Sequence, residues 1–321
     1  MHRSIPSSFL PLAVLLLLAV QLGLSACAAN GAASGASDAV RNMATEPPLA
    51  AASRAEFDGT ARYRVDSKNV DDVFTIDVWE PVHVPGPFPV VYVLDGNSSF
   101  GLVAQTVIPM MFVGEIPAVI VVGIGYEVES PMEVAALRSR DLLPSLEEGY
   151  IERVAGTIFD AGPGILPGGA DAFLAFIEEE VKPLVAANHA VDSSDETLAG
   201  YSFGGTFASH VLFNSTDSFD RYLIGSPVLD WDDGLLFKNE DAYASSERVM
   251  RKHLFLSAGE YEVENRIRPG VERMIERLAE RDYEGLDWAS HIFPEETHGS
   301  ALGPTMSRGL RAVFGAWPAS N

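Results

Sequence analysis

The run Gly200-Tyr201-Ser202-Phe203-Gly204-Gly205 sets one serine between glycines in the spacing G-x-S-x-G. Residues of strand character, Glu196–Ala199, precede it, and a helical pattern over Gly204–Phe213 with Phe207, Val211 and Leu212 follows. A strand that turns at once into a helix crowds two backbone segments, so side chains at the glycine positions would clash. The serine is then left at the apex, near the positive end of the new helix. Ser202 is therefore a candidate nucleophile for acyl chemistry, and the alternative is a bystander in a glycine-rich turn.

A serine hydroxyl needs a base, which follows the serine in chain order where this turn is used. The chain has seven histidines, and His298 alone falls in a loop between the last strand pattern and the last helix pattern. The acid should come from the loop after the preceding strand, His253–Ser257, where Glu260, Glu262 and Glu264 alternate. Glu262, three residues past Gly259, ranks first, Glu260 second and Glu264 third, while Asp230 and Asp232 are another placement. Such a carboxylate fixes the imidazole tautomer and stabilises the imidazolium. The oxyanion should be held by the N–H of Phe203 and by a turn after an earlier strand, where Gly96 and Asn97 are the donors. Asp95 beside them reads as a turn-forming or capping carboxylate.

Those residues need a sheet that brings loops from distant segments to one edge. Thr60–Val65 and Val73–Trp79 alternate and read as an antiparallel opening pair. Val90–Leu94 and Val119–Ile124 are nearly continuous apolar runs, as in parallel strands buried on both faces. Further strands are expected at Tyr222–Gly225 and Ala289–Phe293. Helices are expected over Ala170–Asn188, with a kink or early stop at Pro183, and over Pro269–Asp282 and Ala301–Phe314. The alternation implies an α/β fold, a mostly parallel sheet with helices on both faces. Glu127–Gly169, rich in proline and glycine, fits no strand and reads as a wall or cover of the substrate site.

The 321 residues carry a formal net charge of −23, a sign that repels phosphate backbones and argues against a nucleic-acid partner. No zinc-type spacing or nucleotide-binding glycine loop is found, so no cofactor or metal is expected. Residues 1–27 read as an export signal, with His2 and Arg3 before an apolar run from Phe9 to Leu24. It ends in Leu24-Ser25-Ala26-Cys27, which resembles the lipobox of bacterial lipoproteins, and Cys27 is the single cysteine. That resemblance implies a lipid-anchored protein of the bacterial cell envelope, and the alternative is an ordinary signal cleaved nearby. Residues 28–56, rich in Ala, Gly, Ser and Pro, read as a tether, and residues 57–317 as one domain.

Several segments stand in a recognisable order: Tyr92-Val93-Leu94-Asp95-Gly96-Asn97, Arg138-Ser139-Arg140-Asp141-Leu142-Leu143-Pro144, Gly200–Gly205, Gly225-Ser226-Pro227 and His298-Gly299. They resemble the Putative esterase family of α/β-hydrolases, and within it the branch of small periplasmic siderophore esterases. The resemblance implies an α/β-hydrolase fold, Ser202 as nucleophile, His298 as base and the Asp95–Asn97 turn as oxyanion loop. It places Arg138 and Arg140 near the site, where they either hold an anionic substrate or pair with nearby acids. Tyr201, beside the nucleophile, joins them as a candidate substrate-binding residue. The expected activity is ester hydrolysis through an acyl-enzyme, on siderophore-type or other acyl esters. The alternatives are acyl transfer on the same fold and a non-catalytic surface-binding lipoprotein.

Overall fold

The computed structural model describes residues 57–128, 130–157, 165–246 and 248–315. The expected signal, the tether and Cys27 lie outside the described residues. Eight strands form one sheet: β1 (Thr60–Asp66), β2 (Val73–Trp79), β3 (Phe88–Val93), β4 (Ile120–Tyr126), β5 (Val191–Tyr201), β6 (Arg221–Gly225), β7 (His253–Gly259) and β8 (Asp287–Phe293). Their spatial order is β1-β2-β4-β3-β5-β6-β7-β8. β2 runs antiparallel to both β1 and β4, and from β4 to β8 every pairing is parallel.

Strand periodicity divides the core in two. Val90 and Tyr92 of β3 face one side with Ile120, Val122, Leu198, Tyr222 and Leu254, while Val91 and Val93 face the other with Val121, Ala199, Leu223 and Phe255. Parallel strands buried on both faces need apolar residues at every position, which is why these runs are nearly continuous. On the second face lie α1 (Gly96–Phe112) and α9 (Leu302–Val313). On the first lie α2 (Pro131–Leu142), the short α3 (Tyr150–Val154), α4 (Ala170–Phe176), α5 (Lys182–Asn188), α6 (Phe203–Asn214), α7 (Trp231–Ser246) and α8 (Ile267–Arg281).

Two expectations are refined. The helical stretch over Ala170–Asn188 does not stop at Pro183: a π-turn, Ile177–Val181, joins α4 to α5. Proline has no N–H and its ring crowds the carbonyl four residues back, and a widened turn just ahead of Pro183 accommodates both. The second concerns Glu127–Gly169, which among its described residues holds no strand, as expected, but is partly helical. It contains α2, opened by Pro131 at its first turn, where a missing N–H costs nothing.

Candidate active site

Ser202 stands between β5 and α6, at the helix N-cap, with φ 58° and ψ −122°. A side-chain-bearing residue held there costs about 1–3 kcal/mol, which the surroundings must offset. The glycines make the turn possible. A Cβ on Gly200 would lie 2.1 Å from the Gly204 carbonyl oxygen, and one on Gly205 would lie 2.5 Å from the Gly225 carbonyl oxygen.

His298 Nε2 lies 3.0 Å from Ser202 Oγ, and its Nδ1 meets Glu262 Oε1. An ionised carboxylate only accepts, so Nδ1 carries the proton and Nε2 is left to accept from the serine hydroxyl. Glu262 is 1% exposed, and its second oxygen accepts from the Gly259 N–H at 2.5 Å and the Ser226 hydroxyl at 2.7 Å. Burial alone would raise this carboxyl, but the hydrogen bonds from His298, Gly259 and Ser226 outweigh it and hold it below the usual glutamate range.

The other acids are placed elsewhere. Glu260 accepts the Glu295 N–H at 2.7 Å, and Glu264 is exposed to solvent. Asp230 pairs with Arg266 at 2.9 Å, and Asp232 accepts the Ser145 hydroxyl at 2.5 Å.

Gly96 and Asn97 open α1 as Phe203 opens α6, and a helix's first N–H groups have no acceptor within their own helix. Gly96 is pressed against β4, since a Cβ there would lie 2.7 Å from the Gly123 carbonyl carbon. The Asn97 side chain clamps the Tyr126 backbone, accepting its N–H at 2.7 Å and donating to its carbonyl at 2.8 Å. Asp95, in the left-handed region at φ 55°, makes no side-chain cap. Both its oxygens instead accept from Arg138, at 2.6 and 2.8 Å.

Arg138 is therefore committed to Asp95, with its guanidinium carbon 5.0 Å from the centre of the Phe203 ring. Arg140 is bonded through all three nitrogens, to Asp141 and to Asp72. Of the two expected roles for these arginines, pairing with nearby acids is the one their contacts meet. Tyr201, the third candidate for substrate binding, is committed in the same way. It is nine-tenths buried, its ring packs against that of His298 with centroids 5.3 Å apart, and its hydroxyl donates to the His298 carbonyl at 2.7 Å. Sequence reasoning quoted Gly225-Ser226-Pro227 but gave Ser226 no role; it is fully buried between Tyr201 and Glu262, and its position directly after a strand matches that of Ser202. Trp231 stands 6.2 Å from the Phe203 ring and Tyr150 5.5 Å from Trp231, forming an aromatic wall beside the elbow. A cleft of about 600 Å³ lined by Thr216, Arg251 and Lys252 opens at the amino ends of β6 and β7, the opposite edge of the sheet from Ser202.

Residues 159–268 match the family model Esterase, described as "Putative esterase". The chain is 33% identical over 264 residues to ferri-bacillibactin esterase BesA of Bacillus subtilis, covering 79% of this chain and 89% of that one. It is 29% identical over 274 residues to siderophore triacetylfusarinine C esterase of Aspergillus fumigatus, covering 73% of this chain and 84% of that one. Among solved structures, the BES protein of Bacillus cereus superposes with a TM-score of 0.72 at 27% identity, covering 83% of this chain and 99% of that one. The chain accordingly belongs to the Putative esterase family of α/β-hydrolases, in its siderophore-esterase-like branch, and is a serine esterase.

Proposed function

We propose that this protein hydrolyses siderophore-type esters through an acyl-enzyme on Ser202, with His298 as general base and Glu262 as its orienting acid. The observation that carries the reading is the unbroken line from Ser202 Oγ through both ring nitrogens of His298 to a buried carboxylate. Ser202 Oγ attacks the ester carbonyl while its proton passes to Nε2. The oxyanion so formed is met by the N–H groups of Phe203 and the Gly96–Asn97 turn. The intermediate collapses, the alcohol leaves with the proton from Nε2, and the acyl group stays on the serine. Water then gives a proton to Nε2 and attacks the acyl carbon, and the serine leaves with that proton. Support for the substrate class comes from relatives whose names specify ferri-bacillibactin and triacetylfusarinine C.

A fluorophosphonate probe is expected to label the purified protein once. Ser202→Ala should remove both the label and p-nitrophenyl acetate turnover. An unlabelled, inactive wild-type protein overturns the reading. A panel of trilactone and hydroxamate siderophore esters, ferric and iron-free, then assigns the substrate by kcat/KM.

We also propose that the protein is exported and held in the bacterial cell envelope by acylation of Cys27, with residues 28–56 as the tether. The residues before Cys27 support this, and two or more acyl chains anchor a protein stably. Cys27→Ser is expected to move the protein from the membrane to the soluble fraction, and an unchanged distribution refutes the anchor.

A further inference from the structure

We propose that Ser226 and Tyr201 form a buried hydroxyl clamp that holds the catalytic histidine at both its ring and its backbone, making them positioning residues for the reaction. The inference rests on the reading of Ser202 and His298 as nucleophile and base. Ser226 directly follows β6, fully buried, and Tyr201 is the last residue of β5. Their oxygens lie 3.0 Å apart. From this pair one hydroxyl reaches Glu262, which holds His298 Nδ1, and the other reaches the His298 carbonyl.

Counting protons assigns the bonds. Two hydroxyl protons serve three close oxygen contacts. An ionised carboxylate and a backbone carbonyl can only accept, so Tyr201 gives its proton to the His298 carbonyl, and the single Ser226 proton is shared between Glu262 at 2.7 Å and the Tyr201 oxygen at 3.0 Å. Burial pushes the Tyr201 phenol above its ordinary range, so it stays a neutral donor at working pH. The backbone points the same way. Ser226 has φ 43°, a conformation glycine adopts freely and serine does not, and a side chain kept there has a reason to be kept.

The chemistry gives that reason. His298 must take a proton from Ser202 and hand it to a leaving alcohol without tipping, and small errors in such a placement are costly in rate. The ring is fixed only as well as Glu262 is fixed, and the loop only as well as its carbonyl is tied. Ser226 also spreads the negative charge of Glu262. Without that donor the charge concentrates on the oxygen facing His298 and favours the imidazolium.

Other charged groups near the pair are Glu260 at the end of β7, Glu296 on the His298 loop, the Arg138–Asp95 pair beyond Gly204, and Arg268 of α8, which bonds the Glu260 carbonyl and Glu272. None of these bonds Ser226, so a change at Ser226 leaves their own bonds intact.

The test is Ser226→Gly, which removes the hydroxyl while relieving the backbone, set beside Tyr201→Phe, which keeps the ring against His298. With p-nitrophenyl acetate, Ser226→Gly is expected to lower kcat by about 10- to 100-fold with KM nearly unchanged. The acid limb of its kcat/KM profile should move to higher pH, because a more basic histidine must lose its proton before it can act. Tyr201→Phe should lower kcat without moving that limb, since the charge on Glu262 is untouched. Wild-type kcat and an unmoved limb in Ser226→Gly overturn the clamp. Should Ser226→Gly not fold, wild-type kcat in Tyr201→Phe overturns it instead. Full turnover by Ser202→Ala brings down the underlying mechanism, an outcome distinct from both.

Discussion

At the scale of single residues, the acid shows how burial selects among equivalent chemistries. Glu260, Glu262 and Glu264 alternate along one loop, yet only Glu262 is inside, where three donors meet it. Its lowered carboxyl value has a consequence for stability. A group whose folded value lies below its unfolded value contributes stability that is complete above the unfolded value, near 4.3 for glutamate, and is lost as pH falls through the folded value. Wild-type protein should therefore lose stability below about pH 4 more steeply than Glu262→Gln, which has no proton to gain there. Urea titrations from pH 3 to pH 7 check this, and parallel curves refute it. The same variant should lower kcat by about 10³- to 10⁴-fold at neutral pH, because an amide no longer enforces the tautomer that presents Nε2 to Ser202.

Among elements, the sheet holds the site and α7 and α8 are locked beside it. Glu240 of α7 is fully buried and accepts from Arg277 at 2.7 Å, Arg281 at 3.0 Å and Tyr283 at 2.5 Å. Removing the carboxylate strands these donors. Glu240→Ala is expected to cost about 2–4 kcal/mol in chemical denaturation, toward the lower end for a buried network because both arginines reach water. The folded fraction should keep its esterase activity. Strands were the legible part of the sequence, since their apolar runs report burial directly, and all eight expected runs lie on observed strands. Helices whose local pattern is broken were not legible. α1 opens on Gly96-Asn97 and carries Pro109, and α7 includes Asp232, Asp233 and Gly234 at positive φ. Tertiary packing, not propensity, holds such segments as helices. Spacing singled out Ser202, His298 and Glu262, which meet in the structure, because one strand-turn-helix plan governs where each must lie. The role of Ser226 and the choice of Asp95 as the partner of Arg138 were not legible, because they depend on which side chains the fold brings face to face from segments distant in sequence.

For the whole molecule, charge decides which esters approach easily. Most described arginines and lysines are paired with carboxylates, including both arginines that the sequence offered for an anionic ligand, and the chain keeps a formal net charge of −23. Repulsion of this kind is screened by salt. Raising ionic strength from about 20 to about 300 mM should increase kcat/KM several-fold for a multiply anionic ester and leave a neutral ester unchanged. Equal responses from the two would place the selectivity in contacts rather than in the field. The order of the strands also bears on when the protein becomes active. Ser202 and His298 are 96 residues apart, and the histidine follows β8, the last strand to be made and the far edge of the sheet. At about 5–20 residues per second the nascent chain carries its serine for roughly 5–20 s before the histidine exists. Through that interval the hydroxyl has no base, so the growing chain carries an inert serine, and docking of the segment that bears His298 switches it on.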